Sequence, residues 1–223
     1  MLIVDVHAPR PFNLSRLVEA NVRGIYPKRS EGATVADRAF ASRRAAALEA
    51  GLYVGSYHYA YPTGGDAVTE ARYFVGLMRR ALGREGFTRR DLRPALDLEG
   101  NPGGLGPRAL EKWARDWNRV VWTELGVCGL FYSYPWFIRV VLRGTSVPIA
   151  CGLWLASYGP NDGRRHPYTV PAPWKKAVMH QYTSKGRLWR GGPLYDLNYA
   201  PRLAPLLARP VPTPPPLGQA TVA

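Results

Sequence analysis

Cysteine is almost absent from this chain: Cys128 and Cys151 are the only two in 223 residues. Their spacing matches no zinc or redox pattern, which excludes the common cysteine-built sites. Each lies two residues ahead of an apolar, strand-like run, and two buried free thiols are the expected state; a bond requires those two strands to be neighbours. Long apolar runs are missing too. No stretch approaches the roughly 20 residues that span a bilayer, so no transmembrane segment is expected. Met1-Leu2-Ile3-Val4-Asp5 has no basic start, long apolar stretch or small-residue cleavage site, so no signal peptide is visible. A protein acting outside the cell would then need another route of delivery. No internal repeat is present.

Acids are scarce as well. Sixteen Asp and Glu face thirty Lys and Arg, giving a net charge of +14 and a pI near 10.2. Such a balance favours long-range attraction to a polyanion, whether nucleic acid, anionic membrane or anionic cell wall. The basic residues are mostly arginines scattered in pairs, as at Arg43-Arg44, Arg79-Arg80, Arg89-Arg90 and Arg164-Arg165, and they form no recognisable nucleic-acid-binding motif.

What is present is a folded-protein composition, 46% hydrophobic and 12% aromatic, of a length suited to one domain. Short apolar runs alternate with helical patterns, which argues for an α/β fold with a mostly parallel sheet. Strands are expected at 2–6, 22–26, 52–59, 92–98, 127–132, 151–156, 177–182 and 194–197. Helices are expected at 13–21, 37–50, 67–82 and 107–125, the last with Pro107 at its start. Eight strands of this kind suggest a single closed barrel over residues 1–207. Its last third is rich in proline and aromatics and should lack full-length helices. Residues 208–223 read as a Pro-rich tail suited to an extended linker.

Four acids fall at expected strand ends. In Leu96-Asp97-Leu98-Glu99 the two carboxylates are two positions apart, so they share a face, with Cα atoms roughly 6.5 to 7 Å apart. They precede a loop, Gly100-Asn101-Pro102-Gly103-Gly104, at the end of a strand where barrel enzymes build their sites. Two like charges buried together raise at least one pKa and make a proton donor at neutral pH, which is what protonating a glycosidic oxygen requires. Asp5 ends the first strand and Asp196 sits in the last, so barrel closure would bring them together across the seam. The plainer alternative is that each acid caps a loop or pairs with an arginine.

Taken in order, these residues resemble glycoside hydrolase family 25, the Chalaropsis-type lysozymes of bacteria, fungi and phages. The motifs that carry the resemblance are Val4-Asp5-Val6, Lys28-Arg29-Ser30-Glu31-Gly32, Gly51 to Ala60, Leu96-Asp97-Leu98-Glu99, Leu153 to Tyr158, Gln181-Tyr182-Thr183-Ser184 and Asp196-Leu197-Asn198. The resemblance implies an irregular (β/α)8 TIM-like barrel. It also implies hydrolysis of the β-1,4 bond between N-acetylmuramic acid and N-acetylglucosamine in peptidoglycan. Carried over by position, Glu99 is the general acid and Asp97 its partner, acting as nucleophile or steadying a reacting N-acetyl group. Asp5 and Asp196 support them. Sugar rings stack on flat apolar surfaces, so Tyr59, Tyr132, Trp154 and Tyr182 are candidate groove residues, with Gln181 as a polar substrate contact. No cofactor and no metal is expected, and His58 is expected to be structural.

Three departures from the family stand out. Pro27 sits where an apolar strand residue is usual, so the second strand should end early or bulge. His7 replaces a small polar residue, and His180 replaces a tryptophan. The expected role is a peptidoglycan hydrolase at the bacterial cell wall, phage-encoded and released from the host cytoplasm or carried in the virion, with anionic wall polymers as further partners. The alternative is a catalytically weak wall-binding or virion tail protein on the same barrel. Nucleic acid is not an expected partner, because a rim of carboxylates repels phosphates.

Overall fold

Alternation along the strands sorts the chain into an inner and an outer layer. The computed structural model describes residues 1–64, 66–143 and 151–209. The elements run β1 (Leu2–Val6), α1 (Leu14–Glu19), β2 (Gly24–Glu31), β3 (Val35–Ala36), α2 (Phe40–Glu49), β4 (Tyr53–Tyr59), α3 (Ala67–Leu82), β5 (Asp91–Asp97) and α4 (Pro107–Leu125). After these come β6 (Leu130–Ser133), β7 (Leu153–Ala156), β8 (Met179–Arg187) and β9 (Leu194–Tyr199). The sheet order is β1-β9-β8-β7-β6-β5-β4-β2, closed by parallel pairing of β1 with β2; β3 adds a two-residue antiparallel edge to β2. This is the closed barrel expected from the sequence. One strand departs from the parallel pattern, since β9 runs antiparallel to both β8 and β1.

The helices cover the barrel over its first two thirds. α3 and α4 begin and end where the apolar spacing places them, and Pro107 opens α4. Asn13 caps α1, its Oδ1 accepting the Arg16 N–H at 3.1 Å. Beyond β6 the described residues hold short helical turns alone, among them a π-helical turn, Phe137–Val141, and a 3-10 turn, Ala204–Leu206. No helix among the described residues is long and apolar enough to cross a membrane.

The outer layer packs Leu96, Leu98, Phe131, Leu153 and Leu155 from the strands against Phe74, Trp113, Trp117 and Val121 from α3 and α4. The inner layer holds Ile3, Tyr26, Ala95, Leu130, Trp154 and Met179. Tyr26 reaches into the barrel because Gly55 on the neighbouring strand has no side chain; a Cβ there would overlap the tyrosine ring. Gly55→Ala is therefore expected to destabilise the protein by about 1–3 kcal/mol, read as a lowered melting temperature.

Three expectations are corrected. The second strand does not stop at Tyr26. It continues through Pro27, which pairs with Val6, and of the two expected outcomes the bulge is the one found, as a register slip against β4 between Lys28 and Ser30. The strands expected at 177–182 and 194–197 are longer, because β8 and β9 form a hairpin whose pairing persists to Arg187 and Leu194. Cys128 and Cys151 are joined in a disulfide rather than free. Neighbouring parallel strands β6 and β7 bring their Cα atoms to 5.5 Å, within bonding range. Residues 210–223 of the expected tail lie outside the described residues. The chain just before them is tied to the barrel, with Leu207 bridging Leu92 and the Ala208 N–H donating to the Asp91 carbonyl at 2.9 Å.

Candidate active site

Period-two alternation places the acids. In β5 and just beyond it, Leu96 and Leu98 point out to the helices, which turns Asp97 and Glu99 towards the barrel mouth. On β9, Tyr195 and Leu197 pack outward against Val4, Val6 and Leu17, leaving Asp196 and Asn198 facing in. Asp5 and Asp196 are direct partners across the β1–β9 seam. Because β9 is antiparallel, its early residues reach the same rim as the C-terminal ends of the other strands. All four acids line one cavity of about 310 Å³, together with His7, Arg10, Lys28, Tyr57, Tyr59, Tyr132, Trp154, Tyr158, Gln181 and Ser184.

The loop-capping and arginine-pairing alternative fits only Asp196. Arg10 approaches it at 3.7 Å, whereas Asp5, Asp97 and Glu99 have no ion-pair partner among the described residues. Asp5 is instead held by neutral donors. Its Oδ1 accepts Gln181 Nε2 at 2.9 Å and Asn198 Nδ2 at 2.6 Å. Asn198 Oδ1 in turn accepts Trp154 Nε1 at 2.7 Å. Gln181 Oε1 accepts the hydroxyls of Tyr132 at 2.9 Å and Tyr158 at 2.5 Å. Three of the four hydrogen-bonding positions of Gln181 are therefore used by the protein itself.

The electrostatics follow from this burial. Desolvation, followed by the charge of Asp196, pushes the Asp5 carboxyl up to about 8, against the pull of its amide donors and Arg10. Asp97 is raised well above the usual carboxylate range by burial, then by Glu99 and Asp5, with Lys28 opposing. Glu99 is raised by burial and by Asp196, and Lys28 again pulls the other way. Both carboxyls therefore hold their protons to higher pH than free carboxyls do, and the charge of Glu99 makes the ionisation of Asp97 harder still. Lys28 pairs with Glu31 and lies 5.0 Å from the centre of the Tyr59 ring.

Asp5 also makes a stability prediction. An unfolded aspartate loses its proton near 3.8, whereas folded Asp5 keeps it to about 8, so its contribution is complete below the first value and is lost as pH rises through the second. Asp5→Asn keeps the Oδ1 acceptor and removes that loss. The variant is expected to gain on the wild type by roughly 1–2 kcal/mol towards pH 8, measured by denaturant unfolding across pH.

The sequence-derived groove residues divide. Tyr59, Tyr132 and Gln181 reach the cavity. Trp154 forms its floor, 2% exposed and packed between Tyr26 and Tyr132 with ring centres 4.8 Å from each. Tyr182 does not reach it. Gln181 faces in, so the next residue on the strand must face out, and Tyr182 packs with Val4, Val6 and Leu17 outside the barrel. The same alternation turns His180 outward, where its Nε2 lies 2.7 Å from the Ser157 carbonyl oxygen. His58 is fully buried between Ser30 Oγ and Glu70 Oε2, each at 2.9 Å. Sequence reasoning missed Arg10, Lys28, Tyr57, Tyr158 and Asn198. For Asn198 a signal existed, since it shares the face of Asp196 two residues earlier.

Comparison with known proteins agrees with this fold. The chain is 26% identical over 204 residues to Lysozyme M1 of Streptomyces globisporus; the match covers 87% of this chain and 65% of that relative's length. The fold is shared with a muramidase from Acremonium alcalophilum (TM-score 0.77, 24% identity, 92% of this chain and 95% of that one). It is shared equally with a bacterial lysozyme from Streptomyces coelicolor (TM-score 0.78, 24% identity, 92% and 93%). The catalytic domain of an endolysin from a Listeria monocytogenes bacteriophage is also similar (TM-score 0.73, 25% identity, 90% and 92%). The model of the glycosyl hydrolases family 25 matches residues 10–189, a span that includes the Asp97–Glu99 pair. With most of its length matched, the chain belongs to glycosyl hydrolases family 25.

Proposed function

We propose that the protein is a muramidase, hydrolysing the β-1,4 bond between N-acetylmuramic acid and N-acetylglucosamine in peptidoglycan. The observation that carries this reading is the set of four carboxylates around one cavity, three of them without a cationic partner among the described residues, in a chain of this family. Glu99 acts as general acid. It is the less buried member of the pair, and its raised pKa favours the protonated form that the leaving oxygen needs. Asp97, deeper on the same face, either attacks the anomeric carbon or steadies the N-acetyl group that does. Asp196 keeps the field negative around the oxocarbenium-like transition state, and Asp5 supports the site through its hydrogen bonds with Gln181 and Asn198. Tyr59 and Tyr132 hold the sugar against the Trp154 floor.

The test is borohydride reduction of walls digested by the protein, followed by sugar analysis. Muramitol is the expected product; glucosaminitol alone, or neither alditol, would overturn the reading.

A role as a phage lysin is the finer part of the proposal, and the likeness to the Listeria phage endolysin domain supports it. The net charge of +14 would hold such an enzyme on anionic wall polymers. Wall binding is then expected to weaken steeply between low and physiological salt, because screening shortens to about 8 Å at 0.15 M. Salt-independent retention in a sedimentation assay would contradict it.

A further inference from the structure

A second groove adjoins the cavity. It is lined by Tyr134, Pro135, Trp136, Arg139 and Val140 on one side and Ala156 to Gly159 on the other, and it shares Glu99, Tyr132 and Tyr158 with the acidic cavity. Its volume is about 730 Å³. Glu99 is the one carboxylate of the four that lines both spaces.

The groove has a different character from the cavity. Trp136 is 56% exposed and Val140 50%, on successive turns of the segment that follows β6. The Trp136 ring lies nearly parallel to that of Tyr134, 10° off, with centres 6.3 Å apart. Arg139 is exposed on the same segment and has no ion-pair partner among the described residues. The groove therefore offers aromatic faces and a cation beside a cavity lined by four carboxyl groups.

We infer that this groove binds the leaving portion of the glycan strand, with a sugar ring on the Tyr134–Trp136 surface and a carboxylate of that portion at Arg139. The inference rests on the muramidase reading and gives it a direction. The ring that develops positive charge belongs among Asp5, Asp97 and Asp196, so it occupies the acidic cavity. The oxygen that Glu99 protonates lies at the boundary, and what departs with that oxygen extends into the other space that Glu99 lines. Stacking suits a pyranose ring, whose C–H faces are apolar, and arginine suits a carboxylate, which it can grip with two parallel N–H donors. The carboxylate comes either from a lactyl group or from a peptide attached to it. Both are anionic, and the groove chemistry is the same for each.

The experiment compares Trp136→Ala and Arg139→Gln with wild type on two substrates that share the retained sugars. One is polymeric peptidoglycan glycan. The other is a glycosyl fluoride, whose leaving group is a single atom and cannot enter the groove. On the polymer each variant is expected to lose on the order of tenfold in kcat/KM beyond any loss on the fluoride. Amidating the polymer carboxyls should remove the extra loss for Arg139→Gln and leave that for Trp136→Ala. Repeating this with peptide-stripped glycan separates the sources, since a persisting Arg139 effect assigns the lactyl carboxylate and a vanished one the peptide. Equal losses on polymer and fluoride, or none on the polymer, would overturn the inference. Wild-type protein inert on both substrates would overturn the muramidase reading itself, and this inference with it.

Discussion

Glu99→Gln is expected to lower kcat on peptidoglycan by roughly a thousandfold or more, since a positioned general acid typically supplies 10²–10⁴ of the rate. Glutamine keeps the size of the side chain and removes its transferable proton. Folding should be unaffected, because Glu99 forms neither a hydrogen bond nor an ion pair with the described residues and lies at the open end of the cavity. Relieving a buried like charge beside Asp97 should, if anything, raise the melting temperature. Loss of activity with a retained or improved melting temperature is the expected combination, measured by turbidity of cell walls and by thermal denaturation. Activity within a few-fold of wild type would remove Glu99 from the mechanism.

Asp97→Asn is the second large effect. The side chain is 7% exposed, its Oδ1 has no hydrogen-bond partner, and both Glu99 and Asp5 push its pKa upward. A carboxylate left so poorly compensated costs stability, and a site that keeps it uses it for chemistry. The substitution should reduce kcat by about 10²–10⁴, whether the group attacks the sugar or steadies the acetamide, because both roles need an anion in the transition state. It should also raise stability increasingly as pH climbs beyond the range of a free carboxyl, because the wild-type fold must then ionise Asp97 in a buried site. Steady-state kinetics and denaturant unfolding at pH 8 give the two readouts. Lower stability at that pH would show that Asp97 holds the barrel rather than the substrate.

Much of the site was legible because it obeys the period of a strand. Leu96 and Leu98 announce an outward face, and that alone puts Asp97 and Glu99 together. The seam between Asp5 and Asp196 follows from closure of the barrel, and β1 and β9 meet as closure demands. The same rule, applied consistently, would have excluded Tyr182 once Gln181 was placed inside. Other features are not local. Arg10 comes from the loop after β1 and Tyr158 follows β7, so neither carries a strand pattern that marks it, and Lys28 lies beyond residue 26, where the second strand was expected to end. The antiparallel course of β9 depends on the β8–β9 hairpin, whose outer arm, Ser184-Lys185-Gly186-Arg187, has no apolar alternation. The Cys128–Cys151 bond needed β6 and β7 to be neighbours, which spacing in the chain does not state.

In the proposed mechanism Glu99 protonates the glycosidic oxygen, and water finally reaches the muramic acid carbon held among Asp5, Asp97 and Asp196. Digestion of peptidoglycan in H₂¹⁸O, read by mass spectrometry of the fragments, tests it most directly. One ¹⁸O at the reducing carbon of N-acetylmuramic acid is expected for the wild type and almost none for Glu99→Gln. Label on N-acetylglucosamine, an anhydro-muramic product, or equal incorporation by the variant would contradict it.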